Sequence, residues 1–208
     1  MPYDDESAIA GLLRAYRSGV FPMADPSTGR IHWFAPDPRG VIPLQRFHVP
    51  RSLARVVRSG TFEIVADRDF EGVMRACAAP RPQEADTWID DQLVRAYLAL
   101  HRAGHAHSVE ARRDGRLVGG LYGVHVGGAF FGESMFVRPE HGGRDSSKVC
   151  LVHLVRHLCE RGFILLDTQW QTEHLRRFGC EQIPREVYLE QLMRAIVMPV
   201  TWGTFEAG

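Results

Sequence analysis

Between residues 106 and 168 the spacing of apolar residues changes period twice, and this change does most to limit what the chain can fold into. Ala106–Arg112, Leu117–Val126 and Ala129–Val137 read as strands, parted by turns at Asp114-Gly115 and Gly127-Gly128. Glycine turns between such runs predict a three-stranded antiparallel meander. A helical pattern follows over about 146–160, and then a further apolar strand, Phe163–Thr168. Meander, helix, strand is the order of an α+β fold with a mixed sheet flanked by helices.

Two carboxylates interrupt this apolar pattern. The second strand opens a long, glycine-broken apolar run that ends in Phe130-Phe131-Gly132-Glu133-Ser134-Met135-Phe136, and the last strand ends in Leu165-Leu166-Asp167-Thr168-Gln169. A carboxylate without a partner is costly in an apolar setting, because losing water penalises its charged form. Residues i and i+2 of a strand share a face, so Asp167 and Gln169 should project together with Thr168 opposite. The residues alone leave two readings open: a functional pair of sites, or Glu133 capping a turn and Asp167 with Gln169 capping the helix that follows.

The remaining elements are read in the same way. Ile9, Leu12, Leu13 and Tyr16 mark a helix over 6–18, with Gly19 at its C-terminal end. Val20-Phe21-Pro22-Met23 and a Pro- and Gly-containing loop lead to a short strand, Ile31–Phe34. Pro36-Asp37-Pro38-Arg39-Gly40 is a break, which puts the boundary near residue 37: a short N-terminal domain (1–37) and a larger domain (38–208). Pro50 opens a helix to about Arg58, Phe62–Ala66 alternates as a strand, and Asp69–Ala78 is a short helix. After a loop of Pro and Arg, Thr87-Trp88-Ile89-Asp90 has the form of a capping box opening a helix to about His101. A short helix near 171–178 and a helix from Pro184 to Ile196 complete the chain.

Composition narrows the function. The 208 residues are 45% hydrophobic and 24% charged, values of an ordinary globular protein. No stretch of 18 apolar residues exists, and the N-terminus lacks the basic and apolar regions of a secretory signal, so no membrane partner is expected. Cys77, Cys150, Cys159 and Cys180 form no Cys-x-x-Cys pair, in keeping with a reduced, cytoplasmic protein. His101, His105 and His107 cluster, and His153 and His157 lie one helical turn apart. No carboxylate or Cys spacing completes a metal set, so no metal is expected. Net charge is zero, yet from residue 38 to 62 there are five arginines and no acid: Arg39, Arg46, Arg51, Arg55 and Arg58. The last three share one helical face, and the five together are the expected phosphate-contacting patch, with a solvated surface as the other reading. Lys148 is the sole lysine.

Gly119-Gly120-Leu121-Tyr122-Gly123-Val124, Gly132–Phe136, Ser147-Lys148 and Leu166–Gln169 together resemble bacterial leucyl/phenylalanyl-tRNA–protein transferases. So do Phe21-Pro22, Trp33–Arg39, Thr87-Trp88-Ile89, Gly104–Glu110 and Phe178–Arg185, and the matches run in order from about residue 12 to 190. The resemblance implies an N-acetyltransferase-like (GNAT) fold behind a small N-terminal domain. It implies an aminoacyltransferase that moves leucine or phenylalanine from aminoacyl-tRNA onto proteins with N-terminal arginine or lysine, marking them for degradation, with no cofactor. It assigns Asp167 and Gln169 to the reacting centre and Glu133 to the acceptor. By motif position it assigns Met23, Trp88, Leu121, Phe130, Leu154 and Leu166 to an apolar slot for the donor side chain.

The chemistry is compatible with weak base catalysis. An α-amine has a pKa of about 7.7–8.0, so roughly a tenth is neutral near pH 7, and holding amine and ester together can lower the barrier by up to about 7–11 kcal/mol. Three features depart from the family pattern: a short N-terminal segment before the first helix, Met23 where relatives carry an aromatic, and a longer connection over Val137–Asp145. That connection raises the alternative of an acyl-coenzyme A-dependent N-acyltransferase, since a Gly- and Arg-containing loop opening a helix can cradle pyrophosphate. The acid at Asp145 disfavours it. A non-catalytic relative that only binds tRNA or peptides is the other alternative.

Overall fold

The computed structural model describes residues 5–80 and 87–207; most of the Pro- and Arg-containing loop after Ala78 lies outside them. Helix α1 (Asp5–Arg17) carries acids in its first turn and arginines in its last, matching the helix dipole, and buries Leu12, Leu13 and Tyr16. Strands β1 (Phe21–Ala24) and β2 (Ile31–Phe34) pair antiparallel as a two-stranded sheet of their own. Strand β3 (Arg39–Ile42) follows, and then helix α2 (Arg51–Arg58), entered through Pro50. Strand β4 (Glu63–Ala66) precedes helix α3 (Phe70–Ala78), whose N-cap Asp69 accepts a hydrogen bond from the Gly72 amide. Helix α4 (Asp91–Arg102) leads into strands β5 (Ala106–Arg113), β6 (Arg116–Val126) and β7 (Ala129–Val137). Helix α5 (Ser146–Arg161), strand β8 (Leu165–Gln169), helix α6 (Glu173–Arg176), strand β9 (Glu181–Ile183) and helix α7 (Arg185–Ile196) complete the order.

The meander is present, and β4 extends it to four antiparallel strands. Helix α5 then returns the chain so that β8 runs parallel to β7. A parallel neighbour needs such a crossover. Strand β3 inserts antiparallel between β8 and β9, giving the order β4-β5-β6-β7-β8-β3-β9. One face of this sheet packs on α1, α3, α4 and α7 through residues such as Tyr16, Met74, Tyr97 and Tyr188. The other packs on α2, α5 and the C-terminal tail through Leu53, Leu154, Leu158 and Trp202.

Two expectations change. The residue that starts α4 is Asp90, whose carboxylate accepts from the Leu93 amide at 2.8 Å; Thr87 instead accepts from Ile89, two residues on. The break at residues 36–40 is shorter than expected, because Arg39 and Gly40 already belong to β3 inside the main sheet.

Candidate active site

Strands β7 and β8 pair only from Ala129 opposite Leu165 to Phe131 opposite Asp167, and beyond that point they diverge. A cavity of about 790 Å³ opens in the divergence, lined by Gly132–Met135 on one side and Thr168–Trp170 on the other. Both strands bulge here. Tyr122 of β6 faces Ser134 and Gly123 faces Gly132, so Glu133 has no residue opposite it. Gly40 of β3 faces Gln169 and Val41 faces Asp167, which leaves Thr168 over. A bulge re-aims a side chain out of the regular alternation, and these two bulges turn Glu133 and Gln169 towards one another. Gly123 is required at the first: a Cβ there would collide with the Phe131 carbonyl and the Phe130 ring.

Glu133 sits on the cavity wall among hydroxyls from two helices. Tyr16 of α1 donates to its Oε1 at 2.8 Å and Tyr97 of α4 donates to its Oε2 at 3.2 Å, while the two hydroxyls lie 2.5 Å apart. The Gln169 amide nitrogen approaches Oε1 at 3.4 Å. Burial pushes the Glu133 carboxyl up to about 8; the Tyr16 hydrogen bond opposes the rise, and the charge on Asp167 adds to it. The site is therefore short of positive charge. A cation entering it would restore the carboxylate.

Asp167 is fully buried and makes no wall of the cavity. Arg39 donates to its Oδ1 from Nε at 2.9 Å and to its Oδ2 from Nη2 at 2.7 Å. The Gln169 backbone amide donates to Oδ1 at 2.8 Å, and the Tyr188 hydroxyl to Oδ2 at 2.6 Å. Four donors satisfy the carboxylate, whose two oxygens offer about four acceptor positions. The Arg39 guanidinium is itself fixed, with its carbon 4.9 Å from the Phe21 ring and 4.7 Å from the Tyr188 ring, and with Nη1 donating to the Gly19 carbonyl. Gln169 adopts φ 58°, and the Trp170 amide closes a tight turn onto the Thr168 carbonyl at 2.6 Å. Left-handed backbone is uncommon outside glycine; the Asp167 bond to the Gln169 amide holds it here.

Of the donor-slot residues expected from the sequence, Met23, Trp88, Leu121, Leu154 and Leu166 line the cavity. Phe130 does not: it shares the α5-side face with Leu121, Leu154 and Leu166 but is fully buried, stacked 5.6 Å from Trp202. Met135, Leu151 and Leu175 join the apolar wall; Met135 lies within the Gly132–Phe136 string but is not among the residues expected in the slot, and none of the family strings contains Leu151 or Leu175. Tyr16, Tyr97 and Tyr188 also escape a sequence reading of the site, since an aromatic at helical spacing reads as core.

The arginines divide into three kinds. Arg51, Arg55 and Arg58 project from α2, with Arg51, Arg55 and Arg58 all exposed. Arg46 is exposed and ion-paired with Glu181 at 2.6 Å. Arg39 cannot be a surface phosphate contact, since its side chain is buried on Asp167. The histidine cluster does acquire a carboxylate: Asp67, His101 and His107 bring candidate ligand atoms within 4.8 Å. Hydrogen bonds account for the group, with His107 Nδ1 on Asp67 at 2.7 Å and His101 Nδ1 on the Ala106 carbonyl at 2.8 Å. Lys148 pairs with Asp145, the residue that heads α5.

Comparison with known proteins places this chain in a family. The profile described as leucyl/phenylalanyl-tRNA protein transferase matches residues 41–193, and that of the N-terminal domain of the same proteins matches residues 8–37. A leucyl/phenylalanyl-tRNA–protein transferase of Salinibacter ruber is 51% identical over 94% of this chain and 84% of its own length. One of Paramagnetospirillum magneticum is 52% identical over 89% of this chain and 87% of its own. Among solved structures, a ribosomal-protein-alanine N-acetyltransferase from Brucella melitensis is 22% identical over 56% of this chain and 86% of that one, at a TM-score of 0.39, too low to bear on the fold. The chain belongs to the leucyl/phenylalanyl-tRNA–protein transferase family.

Proposed function

We propose that the protein transfers leucine or phenylalanine from aminoacyl-tRNA to the α-amine of proteins whose N-terminal residue is arginine or lysine, in the cytoplasm. The observation that carries this reading is one cavity with two unlike halves. Leu121, Met135, Leu151, Leu154 and Leu166 form an apolar wall, and Glu133 with Gln169 forms a polar one. The apolar half suits the donor side chain, and a carboxylate in poor contact with water suits a cationic acceptor. An apolar slot separates similar side chains by only about 1–3 kcal/mol per methylene, which favours an enzyme that accepts both leucine and phenylalanine.

The reaction joins the acceptor nitrogen to the ester carbonyl carbon and breaks the bond from that carbon to the ribose oxygen, which leaves as a hydroxyl carrying the proton lost by the amine. Asp167 has no free acceptor position facing the cavity, so its part is to fix the turn that presents Gln169. Gln169, within reach of Glu133, orients the amine. The exposed rings of Phe34 and Trp170 beside the opening offer flat surfaces to a nucleobase. The exposed arginines of α2 are the proposed tRNA phosphate contacts. Residues 1–37 are read as an N-terminal unit that completes the site through Tyr16.

Acyl-coenzyme A is the less favoured donor, because Asp145 and its ion pair with Lys148 occupy the N-terminus of α5. Incubation with labelled phenylalanyl-tRNA or leucyl-tRNA and a peptide beginning with arginine tests the reading, with acetyl-coenzyme A as the competing donor. Label on the peptide supports it; acetylated peptide without label sinks it.

A further inference from the structure

Glu133 closes a ring of contacts that its ionised form cannot fill. The Tyr16 hydroxyl lies 2.8 Å from Oε1, the Tyr97 hydroxyl 3.2 Å from Oε2, and the two hydroxyl oxygens 2.5 Å from each other. Three contacts need three hydrogens, and two hydroxyls carry only two. With an ionised carboxylate, one contact holds no hydrogen and sets lone pair against lone pair. A neutral carboxyl supplies the third hydrogen, and the donors then run in one direction round the ring. Ionising a phenol would remove a hydrogen, and burial opposes that in both tyrosines. The surroundings add no net cation. Arg39 of β3 and Asp167 of β8 act on Glu133 in opposite senses and are paired with each other. Tyr122 of β6 stays neutral, and Cys77 of α3 with Glu173 and His174 of α6 line the same cavity. Among the described residues no lysine, arginine or histidine forms an ion pair with Glu133.

We propose that the acceptor binds by exchange: Glu133 carries a proton in the free protein, Tyr16 and Tyr97 hold it in the closed ring, and the cationic side chain of the acceptor's N-terminal residue displaces it to solvent. This rests on the reading of Glu133 as the acceptor's carboxylate partner. The carboxyl O–H bond breaks, its electron pair stays on the carboxylate, and the proton leaves through the cavity to water. The chain from Tyr97 to Tyr16 to Oε1 persists, and the carboxylate is left one donor short, which the entering N–H supplies. One positive charge enters as another leaves, so the site's net charge is unchanged. Burial favours the neutral carboxyl in the same sense. An acceptor with an uncharged first residue has nothing to exchange. It meets a closed ring, or it leaves an ionised carboxylate unpaired, and such a cost discriminates against wrong partners. Tyr16 and Tyr97, both fully buried, are positioning residues for this selection.

The test is difference infrared spectroscopy of the whole protein at neutral pH, before and after saturation with a peptide amide that begins with arginine and contains no acid. The expected result is loss of one neutral-carboxyl C=O band for each peptide bound, a band that Glu133→Gln lacks from the start. In Tyr16→Phe the same band moves to higher frequency, because its carbonyl oxygen loses a donated hydrogen bond; this assigns the band even if Glu133→Gln does not fold. Peptide binding with no carboxyl band lost overturns the proposal and leaves the reading of Glu133 standing. A band that Tyr16→Phe leaves unshifted also overturns it. A peptide that binds Glu133→Gln as tightly as the parent, or binds neither, overturns the reading of Glu133 and the proposal with it.

Discussion

Arg39 grips Asp167 from Nε and Nη2, at 2.9 and 2.7 Å to its two oxygens, with both side chains removed from solvent. The pair joins β3 to β8 directly behind the turn that carries Gln169. Breaking one partner of a buried ion pair leaves the other charge uncompensated, at about 3–5 kcal/mol. Asp167→Ala should therefore lower the melting temperature by on the order of 10 °C as well as abolish transfer. Arg39→Lys keeps the charge and loses the fork. We expect it to fold and to lose most of its transfer rate, with peptide binding little changed; calorimetry and steady-state kinetics on the same sample separate the two effects.

The close approach of β3 to that turn gives a second prediction. A Cβ on Gly40 would stand 2.5 Å from the Trp170 carbonyl carbon and 2.7 Å from the Gln171 amide nitrogen, both of them backbone. Gly40→Ala must displace the turn after Gln169. Transfer should fall at least tenfold while far-ultraviolet circular dichroism stays that of the parent.

Glu133 makes stability depend on pH with a definite sign. Its folded pKa of about 8 lies above the value of 4.5 taken for an unperturbed glutamate, so the folded state holds a proton that the unfolded state has released. That contribution is complete below pH 4.5 and is lost as pH rises through 8. Glu133→Gln removes the loss. It should be more stable than the parent at pH 8.5 by about 1–3 kcal/mol, a figure reduced for the carboxylate's opening to the cavity, with the gap closing near pH 5. Denaturant titrations at the two pH values measure it.

The donor slot separates from the core in a paired experiment. Leu154 lines the cavity, whereas Phe130 lies behind it against Trp202. Leu154→Ala should shift the ratio of phenylalanine to leucine transfer in favour of the larger side chain by about tenfold. Phe130→Ala should cost about 3–5 kcal/mol of stability and leave that ratio alone.

The exposed face of α2 predicts a salt effect. Reversing charge at Arg51 and Arg55 should weaken tRNA binding and reduce the slope of log K against log salt by roughly 0.9 for each phosphate no longer neutralised. Nitrocellulose filter binding from 50 to 200 mM salt, on the order of the range where phosphate neutralisation is felt, reads both.

The meander, α5 and β8 are legible in the sequence because glycine turns and apolar periodicity are local signals. β3, β9 and β1 are not: each has three or four residues, and β1 contains Pro22 while β3 directly follows Pro38. Glu133 and Asp167 stand out as carboxylates in apolar runs, yet their partners are far away in sequence. Tyr16 is 117 residues from Glu133, and Arg39 is 128 from Asp167. Arg39 reads as surface charge for that reason, since a run of arginines carries no record of which one is buried. The bulge that frees Glu133 leaves one trace, the Gly123 that tolerates it, and glycine in a strand has several causes.

The central claim is that Glu133 and Gln169 bring a cationic N-terminus to an aminoacyl ester held on the opposite wall. The most direct measurement is single-turnover transfer from labelled phenylalanyl-tRNA to three peptides that differ only at the first residue: arginine, its N-acetylated form, and glutamate. We predict rapid labelling of the arginine peptide, none of the acetylated or glutamate peptides, and loss of arginine labelling in Glu133→Gln and Gln169→Ala. Equal labelling of the arginine and glutamate peptides, or full labelling by Glu133→Gln, would contradict the claim.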